Sequence, residues 1–130
     1  IGSEILDADG STVMKAEPTV VRRTISKETS DTMRTLIESV VTEGTAKNAK
    51  VAGFSIGGKT GTSEKIDVFD ENGQRVQDKI VSFVGIAPMD DPEYIILAAL
   101  DTPSRTTGIY ISGGVMAAPT VGAVMADVSP

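Results

Sequence analysis

The sequence is organised around one segment, Gly57-Gly58-Lys59-Thr60-Gly61-Thr62-Ser63. Alternating apolar residues precede it, and the pattern predicts a strand over residues 53–63. At the two-residue period of a strand, the side chains of Thr60 and Thr62 share one face and Lys59 points to the other. Gly61 leaves the backbone bare between them, which lets a ligand approach main-chain N–H groups. The segment is therefore the first candidate binding site.

An amphipathic helix is predicted upstream of this strand, starting after the capping residue Ser26 and stopping at Gly44. Its apolar residues follow the spacing of one helical stripe: Met33, Leu36, Ile37, Val40 and Val41. The opposite positions are predicted to face water: Lys27, Asp31, Arg34, Glu38 and Thr42. This helix is expected to cover a sheet.

Two apolar strands are predicted downstream, over residues 80–87 and 94–100, and both are expected to be buried on both faces. A polar loop with a hairpin tip at Asn72-Gly73 separates them from the first strand. Short connections make the three strands antiparallel. Other predictions are a hairpin over residues 4–14, a strand over residues 19–25 and a last helix opened by Pro119 with Val121, Val124 and Met125. The fold class is α+β, an antiparallel sheet flanked by helices.

Composition excludes several classes of function. The 130 residues carry a net charge of −6, which argues against nucleic acid and anionic membranes as partners. The absence of Cys and His removes cysteine nucleophiles, disulfides, histidine triads and the usual zinc sites, so no metal or cofactor is expected. The longest apolar run, residues 94–100, is too short for a membrane span, and no secretory signal is recognisable. Because the chain begins at Ile1 rather than Met, we expect a piece of a longer protein.

Lys59 fits two different sequence motifs, which imply different functions. Residues 53–60 match the phosphate-binding pattern G-x-x-x-x-G-K-[ST], and residues 95–101 read as an apolar strand ending in an Asp that could hold Mg²⁺. That mechanism needs a buried strand before the glycines and a helix directly after the lysine. Residues 48–52 are short and polar, and residues 61–63 are a poor helix start. The context disfavours nucleotide binding.

The second motif is the Lys-Thr-Gly element of serine acyl-transferases. Its surroundings match that interpretation over four blocks in order: Val40–Ala46, Gly57–Ser63, Ser82–Pro88 and Gly113–Pro119. Across nearly its whole length the chain resembles the C-terminal part of the transpeptidase domain of class B penicillin-binding proteins. Four ordered blocks are far more specific than the tripeptide.

The resemblance implies a peptidoglycan D,D-transpeptidase that β-lactams inhibit. Lys59 would hold the serine of a second motif and supply positive potential, and Thr60, Gly61 and Thr62 would bind the terminal carboxylate of the substrate or of a β-lactam. The N–H of Thr62 would be one of two oxyanion-hole donors. The implied partners are the peptidoglycan stem peptide, β-lactam antibiotics and a cell-wall synthesis complex. The parent protein would be membrane-anchored on the extracytoplasmic face.

The chain also departs from that family, because it contains neither S-x-x-K nor S-x-N. The acylated serine and its lysine are therefore missing. We expect residues 1–130 to be a C-terminal fragment of a transpeptidase (penicillin-binding) domain that is inactive alone. A non-catalytic binding or sensor domain of the same fold stays open, because the deciding serine lies outside this sequence. A β-lactamase is a further option with the same chemistry, but no deacylating carboxylate is recognisable and the four blocks fit a transpeptidase better.

Overall fold

A three-stranded antiparallel sheet carries the Lys-Thr-Gly segment, in the order β3-β4-β5. The computed structural model describes residues 2–129. In chain order the elements are β1 (Glu4–Leu6), β2 (Thr12–Lys15), α1 (Lys27–Thr42), a 3₁₀ turn (Lys47–Ala49), β3 (Gly57–Glu64), β4 (Lys79–Ala87), β5 (Tyr94–Asp101), α2 (Gly113–Met116) and α3 (Ala118–Val128). The predicted α+β class is confirmed, since helices pack against the antiparallel sheet.

Helix α1 forms where predicted, and the second half of its apolar stripe packs as expected, since Val41 is buried and Val40 contacts the core. Ser26 caps it by accepting the N–H of Thr29 at 3.1 Å, as expected from its type and position. However, Met33 and Leu36 are 48% and 53% exposed, whereas Arg34 is half-buried. The prediction that the apolar stripe covers the sheet and the charged stripe faces water is therefore wrong in part. The C-terminal end of α1 makes the contact with β3, so the turns before it are free to leave apolar side chains exposed.

The sheet is buried on one face rather than on two. On the covered face Val81 and Phe83 of β4 are buried by α2 and α3. On the other face Ile95 and Leu97 of β5 are 71% and 68% exposed. The expectation of strands buried on both sides is wrong, because α1 packs over β3 and leaves β5 uncovered within residues 2–129.

The core lies between the covered face and the C-terminal helices. Val121 and Met125 of α3 are fully buried against it, which confirms the predicted final helix. The rest of the cluster is Val41, Ala46, Ala49, Ile56, Phe83, Ala87, Ala117 and Ala118. Along the part of the chain that is described, no helix is both long and apolar enough to cross a bilayer.

Of three further sequence predictions, two are confirmed and one is wrong. The N-terminal hairpin is confirmed, with β1 pairing antiparallel to β2. The hairpin tip is confirmed too, because Phe69 pairs with Arg75 around a turn at Gly73. Residues 19–25 form no strand: Val20 and Val21 are almost fully exposed, and no neighbouring strand in residues 2–129 pairs with them. β-branched residues favour extended backbone, but a strand needs a partner.

Gly58 is the tightest contact between β3 and the core. A Cβ built on it would lie 2.2 Å from the carbonyl oxygen of Val84 and 2.5 Å from Cζ of Phe83. We therefore expect Gly58→Ala to lower the free energy of unfolding by about 1–3 kcal/mol, measured by urea denaturation. Gly2→Ala is the control, since a Cβ there meets nothing within 4 Å. Equal stability of the two variants would contradict this packing.

Candidate functional site at the open edge of the sheet

Strand β3 is an edge strand, and its register decides which of its N–H groups are free. It pairs with β4 from Gly57 to Glu64, and the ladder continues where the N–H of Lys65 donates to the carbonyl of Asp78 at 2.8 Å. Hydrogen-bonded and non-hydrogen-bonded pairs alternate along an antiparallel ladder. Counting back from Lys65, the N–H groups of Thr62 and Thr60 therefore point away from β4. They lie on the open edge of the sheet.

The same register places the side chains. Thr60 is opposite Phe83 on the covered face, while Lys59 is opposite Val84 and Gly61 opposite Ser82 on the other face. This confirms the predicted alternation of the lysine and the threonines. The strand itself begins at Gly57 rather than residue 53, because Gly53 occupies a turn with a positive φ of 87°.

The ammonium group of Lys59 places a positive charge at this edge. Its side chain is exposed, and Nζ donates to the carbonyl oxygen of Thr60 at 3.0 Å. That carbonyl belongs to a residue whose polar backbone groups face outward, so the ammonium group lies beside the free N–H groups. The site combines a positive charge with unpaired main-chain donors, which is an environment suited to an anion or to a carbonyl oxygen that gains negative charge.

Helix α2 packs directly against β3. A Cβ on Gly113 would lie 2.9 Å from the carbonyl oxygen of Gly61, so this glycine lets the helix pack directly on the site strand. Ser112 caps the helix by accepting the N–H of Val115 at 3.2 Å. Helix α2 was not predicted from the sequence: the capping serine was the available signal, but the two glycines that follow it are poor helix formers.

The structure rules out the phosphate-loop interpretation of Lys59. Extended backbone continues through Lys59 to Glu64, where a phosphate-binding loop would turn into a helix. Asp101, the proposed Mg²⁺ ligand, pairs with Lys65 instead. Within residues 2–129 no three His, Cys, Asp or Glu side chains group as a metal site requires.

Within residues 2–129 two carboxyl groups have shifted pKa values, and both lie away from the edge of β3. The pKa of Asp31 is lowered by hydrogen bonds from Lys27 and Arg34. The pKa of Asp101 is lowered by hydrogen bonds from Lys65 and Thr102. Both groups are surface ion pairs, so these shifts have a structural cause and identify no acid or base for the site.

A large cavity within residues 2–129 is separate from Lys59. It has a volume of about 880 Å³ and lies between α1 and the turn that joins β4 to β5. Its lining includes Arg34 and the carboxylates of Asp31, Glu38, Asp90 and Glu93. None of the predicted site residues lines it, so cavity size does not identify the candidate site here.

Comparison with known proteins points to one family. A family profile described as penicillin binding protein transpeptidase domain matches residues 1–126. Stage V sporulation protein D of Bacillus subtilis is 44% identical over 120 residues, covering 92% of this chain and 18% of that protein.

Solved structures agree with the sequence comparison. The transpeptidase domain of penicillin-binding protein 3 from Burkholderia pseudomallei has a TM-score of 0.69 at 37% identity, covering 85% of this chain and 32% of that one. Penicillin-binding protein 3 of Mycobacterium tuberculosis complexed with aztreonam has a TM-score of 0.68 at 30% identity, covering 96% of this chain and 30% of that one. The chain therefore spans about a third or less of each of these proteins.

Proposed function

The chain belongs to the family of penicillin-binding protein transpeptidase domains, and on that premise we propose that it is the substrate-binding part of a peptidoglycan D,D-transpeptidase. Such an enzyme cross-links cell-wall stem peptides by transferring an acyl group through a serine. Residues 1–130 contribute the β3 edge to this reaction. The serine, its lysine and the second oxyanion donor come from polypeptide outside residues 1–130.

One observation carries this proposal: the N–H of Thr62 points to the open edge of the sheet, beside the ammonium group of Lys59. When the serine oxygen attacks the carbonyl carbon, the electron pair of the C=O bond moves to its oxygen. A fixed N–H aimed at that oxygen stabilises the developing charge, and removing one such donor costs about 10²–10³-fold in rate. Thr62 is the donor that this chain supplies.

The other site residues bind and orient the substrate. The hydroxyls of Thr60 and Thr62 lie on one side of β3 and donate to the terminal carboxylate of the stem peptide or of a β-lactam. Lys59 provides the positive potential and contacts the serine of the second motif. Gly61 keeps the backbone accessible between the two threonines.

Partners and location follow from the same proposal. The substrates are peptidoglycan stem peptides, and β-lactams are inhibitors; the relative from M. tuberculosis was solved as a complex with aztreonam. We further propose that the longer protein is membrane-anchored, acts on the extracytoplasmic face of the membrane and works within a cell-wall synthesis complex.

Labelling with a fluorescent penicillin tests the proposal. We expect the longer protein that carries residues 1–130 to become covalently labelled, because it contains the acylated serine. The 130-residue chain alone is expected to show no labelled band, because S-x-x-K is absent from it. A labelled band from the isolated chain, or no label on the longer protein, would contradict the proposal.

A further inference from the structure

The hydroxyl of Thr45 lies next to that of Thr60, one of the two threonines proposed to bind a carboxylate. Oγ1 of Thr45 is 3.4 Å from Oγ1 of Thr60, although the two residues are 15 positions apart in the chain. Either hydroxyl can be the donor. The distance exceeds the optimum of about 2.7–2.8 Å for two hydroxyls, so a small rotation of either side chain decides how strong the contact is.

The backbone of Thr45 is held by the end of α1. The N–H groups of Gly44 and Ala46 both donate to the carbonyl of Val40 at 3.1 Å, which closes the helix terminus around Thr45. Ala46 is fully buried in the core. Thr45 is therefore anchored on both sides, although it is itself exposed.

Helix α2 fixes the same contact from the opposite side. A Cβ on Gly114 would lie 2.2 Å from the carbonyl oxygen of Thr45 and 3.7 Å from Cγ2 of Thr60. The side chain of Asn48 donates from Nδ2 to the carbonyl of Gly114 at 2.9 Å in a partly buried position. The start of α2 is thus packed and hydrogen-bonded against the loop that carries Thr45.

We propose that Thr45 is a positioning residue for Thr60, an inference that rests on the proposed function. Each hydroxyl has one hydrogen. If Thr45 donates to Oγ1 of Thr60, the hydrogen of Thr60 stays available for the ligand, and the contact also strengthens Thr60 as a donor. A charged carboxylate accepts a stronger hydrogen bond than a neutral ester does, so this arrangement favours a free carboxylate over an ester at the same position.

The test compares Thr45→Val with Thr45→Ser in the longer protein, using a penicillin and its methyl ester. Thr45→Val has a similar shape but no hydroxyl, so we expect acylation by the free acid to fall about tenfold while acylation by the ester stays unchanged. Thr45→Ser is expected to keep the wild-type preference for the acid. Thr42→Val, on the exposed end of α1, is the matched control with no expected effect.

A double-mutant cycle distinguishes positioning from general packing. In a Thr60→Val background the acceptor is gone, so Thr45→Val is expected to cause no further loss in acid preference. Independent losses that multiply, or an unchanged acid-to-ester ratio in Thr45→Val, would overturn the role of Thr45. That result leaves the transpeptidase assignment intact, whereas a wild-type protein that no penicillin acylates overturns both.

Discussion

Thr62→Pro in the longer protein is expected to lower the second-order rate constant for acylation by a penicillin about 10²–10³-fold while the melting temperature stays close to that of the wild type. The substitution removes the N–H that points to the open edge, and this group makes no hydrogen bond to β4. Proline is tolerated on an edge strand when its missing N–H faces away from the neighbouring strand. Stopped-flow acylation and thermal unfolding measure the two quantities.

Three substitutions isolate the contribution of this single N–H. Thr62→Val keeps the N–H and loses the hydroxyl, so we expect a smaller loss of about tenfold. Glu64→Pro also removes an outward N–H but lies beyond the site, and its acylation is expected to match that of the wild type. Ser63→Pro removes an N–H that faces β4 and is expected to destabilise the sheet. Equal rates for Thr62→Pro and Thr62→Val would show that the Thr62 N–H is not an oxyanion donor.

The direction of this N–H shows what sequence reasoning could and could not predict. The alternation of Lys59 with Thr60 follows from the two-residue period of a strand, and it was predicted correctly. Which N–H groups face outward depends on the register with β4. Register is a tertiary property that the segment itself does not encode. The resemblance implies the N–H of Thr62 as a donor, and only the register shows that this N–H faces the open edge.

Helix α1 shows the same limit in another form. Its start at Ser26 was predictable because capping uses a local hydrogen bond to Thr29. How far the contact extends along the helix was not predictable, because an apolar stripe does not specify how much of its length is covered. Met33 and Leu36 are exposed, while the predicted water-facing residue Arg34 is half-buried. Periodicity therefore identified the element and the packing of Val40 and Val41, but not the exposure of the first half of the stripe.

The support behind the site depends on residues that carry little sequence signal. Gly113 and Gly114 are small because backbone from other segments occupies the space of their side chains. Asn48 and Thr45 lie between the predicted helix and the predicted strand, yet they join the end of α1 to α2 and β3. Contacts between segments far apart in sequence explain why this layer of the site was missed.

Lys59→Met is expected to reduce acylation about 10²-fold or more, because it removes the positive charge beside the developing oxyanion and the serine while keeping most of the side-chain volume. Folding is expected to be unaffected. Within residues 2–129 the ion pairs are those of Lys27, Arg34, Lys65 and Arg105, so Lys59 pairs with no carboxylate whose charge would be left uncompensated.

Lys65→Met is the matched control for this substitution. It removes the same charge six residues along the chain, where the lysine pairs with Asp101 instead of facing the open edge. We expect its acylation rate to remain near that of the wild type, with a small loss of stability at most, since surface ion pairs contribute about 0–1 kcal/mol. Lys59→Arg keeps the charge but replaces a compact ammonium group by a planar fork, so partial recovery is expected. If Lys59→Met and Lys65→Met acylate at the same rate, the cation at the edge of β3 has no role in the reaction and the assignment of this strand as the substrate-binding edge is refuted.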